Sequence, residues 1–328
     1  MDTISVIIPL FNRAGLIAET LASIEKQSIQ PYQVVIVDDH SSDASVDVVN
    51  EFKKTSGLNI VILHNGYKRG QSGALNWGIE KAAGDFIAMQ DSDDLWMPTH
   101  LQKLHEALGK HPESSIAFSA IEVFGPANDT LQKNNDFSVS VKRSLDNAFE
   151  KNDNGLWVSN GDLLFNLLMF GVPFRCPASL IRKDFLIKHG LFFDTDITYT
   201  LDSQFMTIAS YFTPFLYVDA IGLRIRRHTG NDGDVGYGDK IRKSFKLRAD
   251  RLKNFFLNHK ISSKEKKALY HRLWCLQAFA AGQEASGQGL MARGKQAFEL
   301  LRNVPTWSSA KSAVKILANR HSCESRNL

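Results

Sequence analysis

Apolar and polar positions alternate in blocks along the first hundred residues. Residues 4–8 (ISVII) form a β-branched run of strand length, and Ile17, Leu21 and Ile24 then recur at helical spacing. Residues 34–37 (VVIV) repeat the strand signal, and Val46, Val49 and Phe52 mark a second helix. Residues 60–63 (IVIL) read as a third strand. Leu75, Ile79 and Ala82 then mark a third helix, and residues 86–89 (FIAM) a fourth strand. Continuous apolar runs alternating with amphipathic helices predict an α/β fold whose mostly parallel sheet is covered on both faces.

From residue 114 the pattern is less regular. Residues 114–125 and 178–182 read as strands, and GDLLFNLLMFG (161–171) and residues 201–212 as helices. YVDAIGLRIRRH (217–228) reads as an edge strand running towards a site. Residues 126–155, rich in Asn and Asp, read as a polar loop or lid. Beyond about 240, LRADRLKNFFLNHK and KEKKALYHRLWCLQAFAAGQEA are helical by period, separated by an ISSKE cap signal, and MARGKQAFELLRNV predicts a third helix. The expected organisation is a domain over 1–239, in halves 1–125 and 126–239, followed by a helical extension over 240–328.

Charge sharpens this division. Residues 1–239 carry 20 Lys and Arg against 30 Asp and Glu, a net of −10. Residues 240–328 carry 19 against 5, a net of +14. An acidic body with a basic tail suggests packing of one on the other, or contact of the tail with an anionic membrane surface. No recognised nucleic-acid module is present, so no nucleic-acid partner is expected. The 43% hydrophobic content excludes a chain disordered throughout. No apolar run approaches the ~18 residues of a membrane span, and the N-terminus lacks a basic leader. Cys176, Cys275 and Cys323 lack metal-ligand spacing and suggest a reducing compartment.

The chemistry collects where strands end. Pro9, Leu10, Phe11 and Asn12 follow the first strand, Asp38 and Asp39 the second, and Asp91, Ser92, Asp93 and Asp94 the fourth. Open parallel sheets bind ligands beyond these carboxyl ends. Asn12, Ser41, Ser42 and Asp94 could instead cap helices. Three acids within four positions exceed what capping needs, because like charges repel unless a cation or protons compensate.

In this order, SVIIPLFNRAGLIAETLASIEKQ, VVIVDDHSSDAS and NGYKRGQSGALNWGIEKAAGDFIAMQDSDDLWMP resemble the family 2 glycosyltransferases. The resemblance covers residues 3–125 strongly and extends more weakly to about 232. It implies a GT-A fold with a nucleotide-sugar-binding half followed by an acceptor half. It implies that Pro9, Phe11, Arg13, Asp39 and Asp91 bind the donor. Phe11 would stack on the base, with core packing as its other reading, and Asp39 would accept the imide N–H of uracil. Asp91 and Asp93 match the Asp-x-Asp motif. Asp93 would hold Mn²⁺ or Mg²⁺, a hard ion that neutralises the departing diphosphate. His228, in RHTGN, matches a family segment whose His can complete the metal shell, though a lone His is more often structural. The family often has Arg or Lys where this chain has Leu75; Lys68 or Arg69 could substitute, and both otherwise read as surface charge.

The resemblance also implies an inverting displacement, in which a base removes the proton of the attacking hydroxyl. GLFFDTDITYTLDSQFMTIAS places Asp202 at the base position, with N-cap or surface charge as its other readings. The usual preceding acid is Leu201 here, and Asp194 and Asp196 are the nearest rivals. The implied function is transfer from a nucleotide-diphosphate donor, UDP-linked, to a glycan or lipid-linked hydroxyl in envelope polysaccharide synthesis. The expected location is cytoplasmic, peripheral at the inner face of the membrane. The rival readings are a sugar nucleotidyltransferase, for which PLFNRAG lacks a basic Gly-rich loop, and a non-catalytic binding descendant.

Overall fold

The computed structural model describes residues 2–125, 137–152, 155–228 and 238–285. The predicted N-terminal beat is present as β1 (Ile4–Leu10), α1 (Ile17–Glu25), β2 (Gln33–Asp38), α2 (Ser45–Thr55), β3 (Ile60–His64), α3 (Gln71–Lys81) and β4 (Phe86–Met89). These strands pair in parallel. Successive residues of a strand face opposite sides, so Val6 and Ile8 join Val34, Ile36 and Ala88 in one core, and Ile7 joins Ile87 and Met89 in the other. Two covered faces explain why the strands read as unbroken apolar runs. Helix α3 lies hard against β1: a Cβ at Gly78 would come within 2.3 Å of Ile7 Cγ2.

The second half contributes β5 (Leu95–Trp96), α4 (His100–Lys110), β6 (Ile116–Phe124), α5 (Phe137–Ala148), β7 (Phe149–Lys151), β8 (Trp157–Ser159), α6 (Leu163–Phe170), β9 (Ser179–Arg182), α7 (Lys183–His189), α8 (Leu201–Ala209) and β10 (Phe215–Arg226). The sheet order is β3-β2-β1-β4-β9-β6-β10-β8-β7, with β5 on β10. Strand β9 runs antiparallel to both β4 and β6, and β6 is parallel to β10. The sheet is therefore mixed. Even so, β1, β2, β4, β6 and β10 point the same way and share one C-terminal edge.

Two expectations are corrected. Strand β10 is not an edge: β6 pairs along one side, while β8 pairs with its first half and β5 with its second, across an irregularity between Val218 and Leu223. Its alternating pattern hid this, because the two halves meet different neighbours. The polar stretch 126–155 is not wholly a loop. It contains α5 and β7, because Leu145, Ala148 and Phe149 reach the core with Val141 packed against them; residues 126–136 lie outside the described residues.

The extension supplies α9 (Gly238–Leu257) and α10 (Ser263–Ala285). The ISSKE signal forms a reciprocal capping box: Glu265 N–H donates to Ser262 Oγ (3.2 Å) and Ser262 N–H to Glu265 Oε2 (2.7 Å). Phe245, Leu252, Phe256, Leu269 and Leu276 pack with Leu164 and Leu168 of α6. Buried Arg272 donates to the Leu168 carbonyl (2.8 Å), one of the carbonyls at the C-terminal end of α6. Helix α10 is buried at six consecutive positions, His271 to Leu276, rather than along one stripe. The predicted third helix and Cys323 lie outside the described residues. Among the described residues no helix is long and apolar enough to cross a membrane.

His100 is fully buried beside Trp96 (ring centroids 4.8 Å), with no hydrogen-bond partner on either ring nitrogen among the described residues. Burial lowers its pKa to about 3. The folded protein holds this ring neutral, whereas the unfolded chain protonates it near the ordinary value of about 6.5. The resulting stability is present above pH 6.5 and is lost as pH falls. From pH 7 to 5 this one group is expected to cost about 2 kcal/mol. Denaturant unfolding at both pH values should show a shallower loss in His100→Phe, and an unchanged loss would refute the assignment.

Candidate functional site

The shared C-terminal edge of β1, β2, β4 and β10 gathers most of the predicted residues. Pro9 lies on β1 opposite Val37. Phe11 follows the strand and is 44% exposed, which removes core packing as its role. The Arg69 guanidinium lies 5.3 Å from the centre of its ring. Asn12 and His40 adopt positive φ (50° and 65°), turning the chain away from the strand ends. Neither they nor Ser41, Ser42 and Asp94 cap a helix. Asn12 Oδ1 instead accepts Ser42 N–H (2.8 Å), and Ser41 Oγ accepts Asn12 N–H (3.2 Å), tying the two strand ends together.

Asp39 is buried and enclosed by the loop after β3. Its Oδ1 accepts from Asn65 Nδ2 (2.6 Å) and its Oδ2 from Gly70 N–H (2.8 Å). Gly70 has φ 123°, a conformation open to glycine. The same loop rests on α3, where a Cβ at Gly73 would strike the Lys68 carbonyl at 1.8 Å. Asn65 was not among the expected residues. It ends a strand like the others, and that rule alone would have found it.

Asp93 is the junction of the site. Its Oδ2 lies 3.1 Å from Arg13 Nε and 3.0 Å from His228 Nε2. Arg226 Nε donates to the Asp93 carbonyl (3.0 Å), and Arg226 N–H donates to Asp94 Oδ1 (2.8 Å). Burial, and then the charge of Asp93, raise the Asp94 pKa to about 8, against the pull of the Arg226 N–H and of Arg227 and Arg226. Asp94 is thus a buried structural acid that anchors the end of β10. Asp91 accepts from Gln71 Nε2 (2.9 Å), at the start of α3.

Asp202 sits in the first turn of α8. Its Oδ2 accepts Cys176 N–H (3.3 Å), at the head of antiparallel β9 and therefore at the same edge. The Cys176 thiol is buried, which raises its pKa, and the charges of Asp202 and then Asp91 raise it further against Arg175. Asp202 and Asp91 therefore act on one thiol. Cys176 and Arg175 carried no signal in a single sequence. The rival acids are engaged elsewhere: Asp194 pairs with Arg251 (2.7 Å), and Asp196 pairs with Lys68 (2.5 Å). Lys68 is accordingly a bridge rather than a free surface charge. Asp39 and Asp202 take partners other than Asp93. Among the described residues no group of three or more His, Cys, Asp or Glu is placed to hold a metal ion. Thr229 to Asn231 lie outside the described residues.

Leu75 and Leu201, which depart from the expected pattern, are both core residues of one cluster. Asn76, beside Leu75, bonds Phe193 in both directions (2.8 Å each).

Comparison with known proteins gives a consistent picture. The model of glycosyl transferase family 2 matches residues 5–190. Over 94 residues the chain is 35% identical to a GalNAc(5)-diNAcBac-PP-undecaprenol beta-1,3-glucosyltransferase of Campylobacter jejuni, covering 29% of this chain and 30% of that one. Over 99 residues it is 36% identical to the UDP-Glc:alpha-D-GlcNAc-diphosphoundecaprenol beta-1,3-glucosyltransferase WfgD of Escherichia coli, covering 30% and 38%. The matched stretches thus span about a third of these relatives. Staphylococcus aureus TarS 1-349, solved with UDP-GlcNAc, superposes with a TM-score of 0.62 at 17% identity, covering 96% of this chain and 89% of that one. The mannosyltransferase PcManGT of Pyrobaculum calidifontis, solved with GDP-Man and Mn²⁺, gives 0.56 at 18% identity, covering 97% and 86%. These two likenesses establish the GT-A architecture, including its helical continuation.

Proposed function

Because the chain belongs to glycosyl transferase family 2, we propose that it transfers a sugar from a UDP-linked donor to a hydroxyl of a glycan or lipid-linked acceptor, with inversion. The observation that carries this reading is the set of groups on one sheet edge: an enclosed carboxylate at Asp39, a carboxylate–imidazole pair at Asp93 and His228, and a separate carboxylate at Asp202. The named activities of the glucosyltransferase relatives support the donor and acceptor classes.

The roles follow from the chemistry. Phe11 offers an exposed ring for the base, and Asp39 an acceptor already oriented by Asn65 and Gly70. Asp202 takes the proton of the acceptor hydroxyl as that oxygen bonds to the anomeric carbon. The bond from that carbon to the diphosphate oxygen breaks on the opposite face, and its electrons leave with UDP. Arg13, which lies against Asp93 (3.1 Å), would turn to the diphosphate.

Asp93 and His228 fit a divalent cation. The Asp93 carboxylate and the His228 imidazole, which meet at Asp93 Oδ2 and His228 Nε2 (3.0 Å), would supply an oxygen and a nitrogen donor to Mn²⁺ or Mg²⁺. Such an ion, when bound, would stabilise negative charge on the leaving diphosphate.

The proposed catalytic unit is residues 1–239, with the basic extension seated on it and facing an anionic membrane surface. The apolar faces of α9 and α10 are used in packing, so such contact would be electrostatic, through exposed side chains such as Lys266 and Lys267. Glutamate at both positions should lower cosedimentation with phosphatidylglycerol vesicles, and unchanged binding would remove the membrane from this reading.

The central test is a donor panel with Mn²⁺ or Mg²⁺, following free UDP and thermal shift together. Asp202→Asn should retain donor binding and lose about 10²- to 10⁴-fold in turnover; near-normal turnover would place the base elsewhere. In Asp93→Ala the metal-dependent part of the thermal shift by UDP should vanish. A full metal-dependent shift would exclude Asp93 as its anchor.

A further inference from the structure

We infer that Arg248, in the C-terminal helix α9, is a positioning residue for Asp202, making the extension a working part of the transfer site; this rests on Asp202 acting as the base. Asp202 follows Thr200 by two residues, and Thr200 is the residue from which α8 starts. Thr200 holds φ 55° and ψ 38°, a left-handed conformation that a β-branched residue rarely adopts. Such a conformation persists only where surrounding contacts over-determine it.

Those contacts come from α9. Arg248 is 3% exposed, lies against the Phe245 ring (5.3 Å), and donates through Nη1 to Thr200 Oγ1. Thr200 Oγ1 in turn donates to the Tyr199 carbonyl (2.7 Å). One turn earlier in α9, Ser244 Oγ accepts Thr198 N–H (3.2 Å). One turn later, Arg251 pairs with Asp194 (2.7 Å) and Asp196 (3.5 Å). Ser244, Arg248 and Arg251 thus grip residues 194–200 along one face of the helix.

The donor side holds the same segment from the other flank. Lys68 pairs with Asp196, Ser72 Oγ donates to the Ile197 carbonyl (3.3 Å), and Asn76 bonds Phe193. The approach to α8 is therefore suspended between the loop after β3 with α3 on one flank and the extension on the other. A change of φ at Thr200 redirects the first turn of α8 and moves its carboxylate. Misplacement of a catalytic group by an ångström can cost about 100-fold in rate.

The test compares Arg248→Met, Arg248→Lys, Thr200→Val and Asp202→Asn. Release of UDP is followed from UDP-glucose, UDP-N-acetylglucosamine and UDP-galactose, together with UDP affinity and hydrogen exchange in a peptide spanning 198–206. Arg248→Met and Thr200→Val should each lower kcat about 10- to 100-fold, with UDP affinity unchanged and faster exchange in that peptide. The double variant should be little worse than either single one, and Arg248→Lys should recover part of the loss. In the Asp202→Asn background, Arg248→Met should add nothing. Should Arg248→Met fail to fold, Thr200→Val, which leaves the buried guanidinium in place, carries the test. Normal kcat in Thr200→Val or in folded Arg248→Met overturns the inference, whatever happens to stability or exchange. Near-normal turnover in Asp202→Asn overturns instead the assignment of the base. If the unaltered protein shows no affinity for UDP, the UDP-sugar reading fails, and unchanged exchange in both variants would also refute the grip on this segment.

Discussion

The arrangement depends on two adjacent buried acids, Asp93 and Asp94, at the end of β4. Two carboxylates side by side in a poorly solvated place are unfavourable unless cations or protons answer them. The answer comes from distant parts of the chain. The Arg13 guanidinium arrives at Asp93 from the end of β1, His228 Nε2 meets the same oxygen from the end of β10, and the Arg226 N–H and Nε bond Asp94 and the Asp93 carbonyl. Asp94 meets part of the cost by holding its proton more tightly than an ordinary carboxylate. These contacts join the all-parallel half of the sheet to the mixed half at the edge where the proposed donor would lie.

Around this junction the two halves meet through polar segments. The loop 65–70 encloses Asp39 on one side and, through Lys68, reaches Asp196 on the other. The segment before α8 is bonded both to α3 and to α9. Sites built this way are placed by several elements at once, and each side chain is held by groups that are themselves constrained. Leu75 and Leu201 fit the same logic. Apolar side chains at these two positions pack into one core cluster with Met89, Cys176 and Phe193.

The extension is continuous with the acidic body in its packing. Its apolar residues share a cluster with α6, and buried Arg272 answers backbone carbonyls at the end of that helix. The opposite net charges of the two parts, −10 and +14, are partly expressed as contacts such as Arg251 with Asp194 and Lys264 with Asp162. The remaining exposed lysines are what an anionic surface would meet.

The order of strands and helices in the first hundred residues was legible because hydrophobic periodicity is local, and burial on both faces of a sheet leaves unbroken apolar runs. The placement of acids at strand ends was legible for the same reason, and from it came Asp39, Asp91 and Asp93. Other features depended on pairing between residues far apart in the chain. The reversal of β9, the interior position of β10 and the helix within 137–148 are set by which neighbours bury each segment, and a single sequence does not state this. Nor could spacing show that Asp194 and Asp196 are held by cations while Asp202 meets Cys176, or that Arg13 and His228 share one oxygen of Asp93. Local patterning specifies the elements and the chemical groups at their ends. Which of those groups face one another is settled by packing, because electrostatic and hydrogen-bond partners act over a few ångströms and the chain brings them together from more than a hundred residues apart.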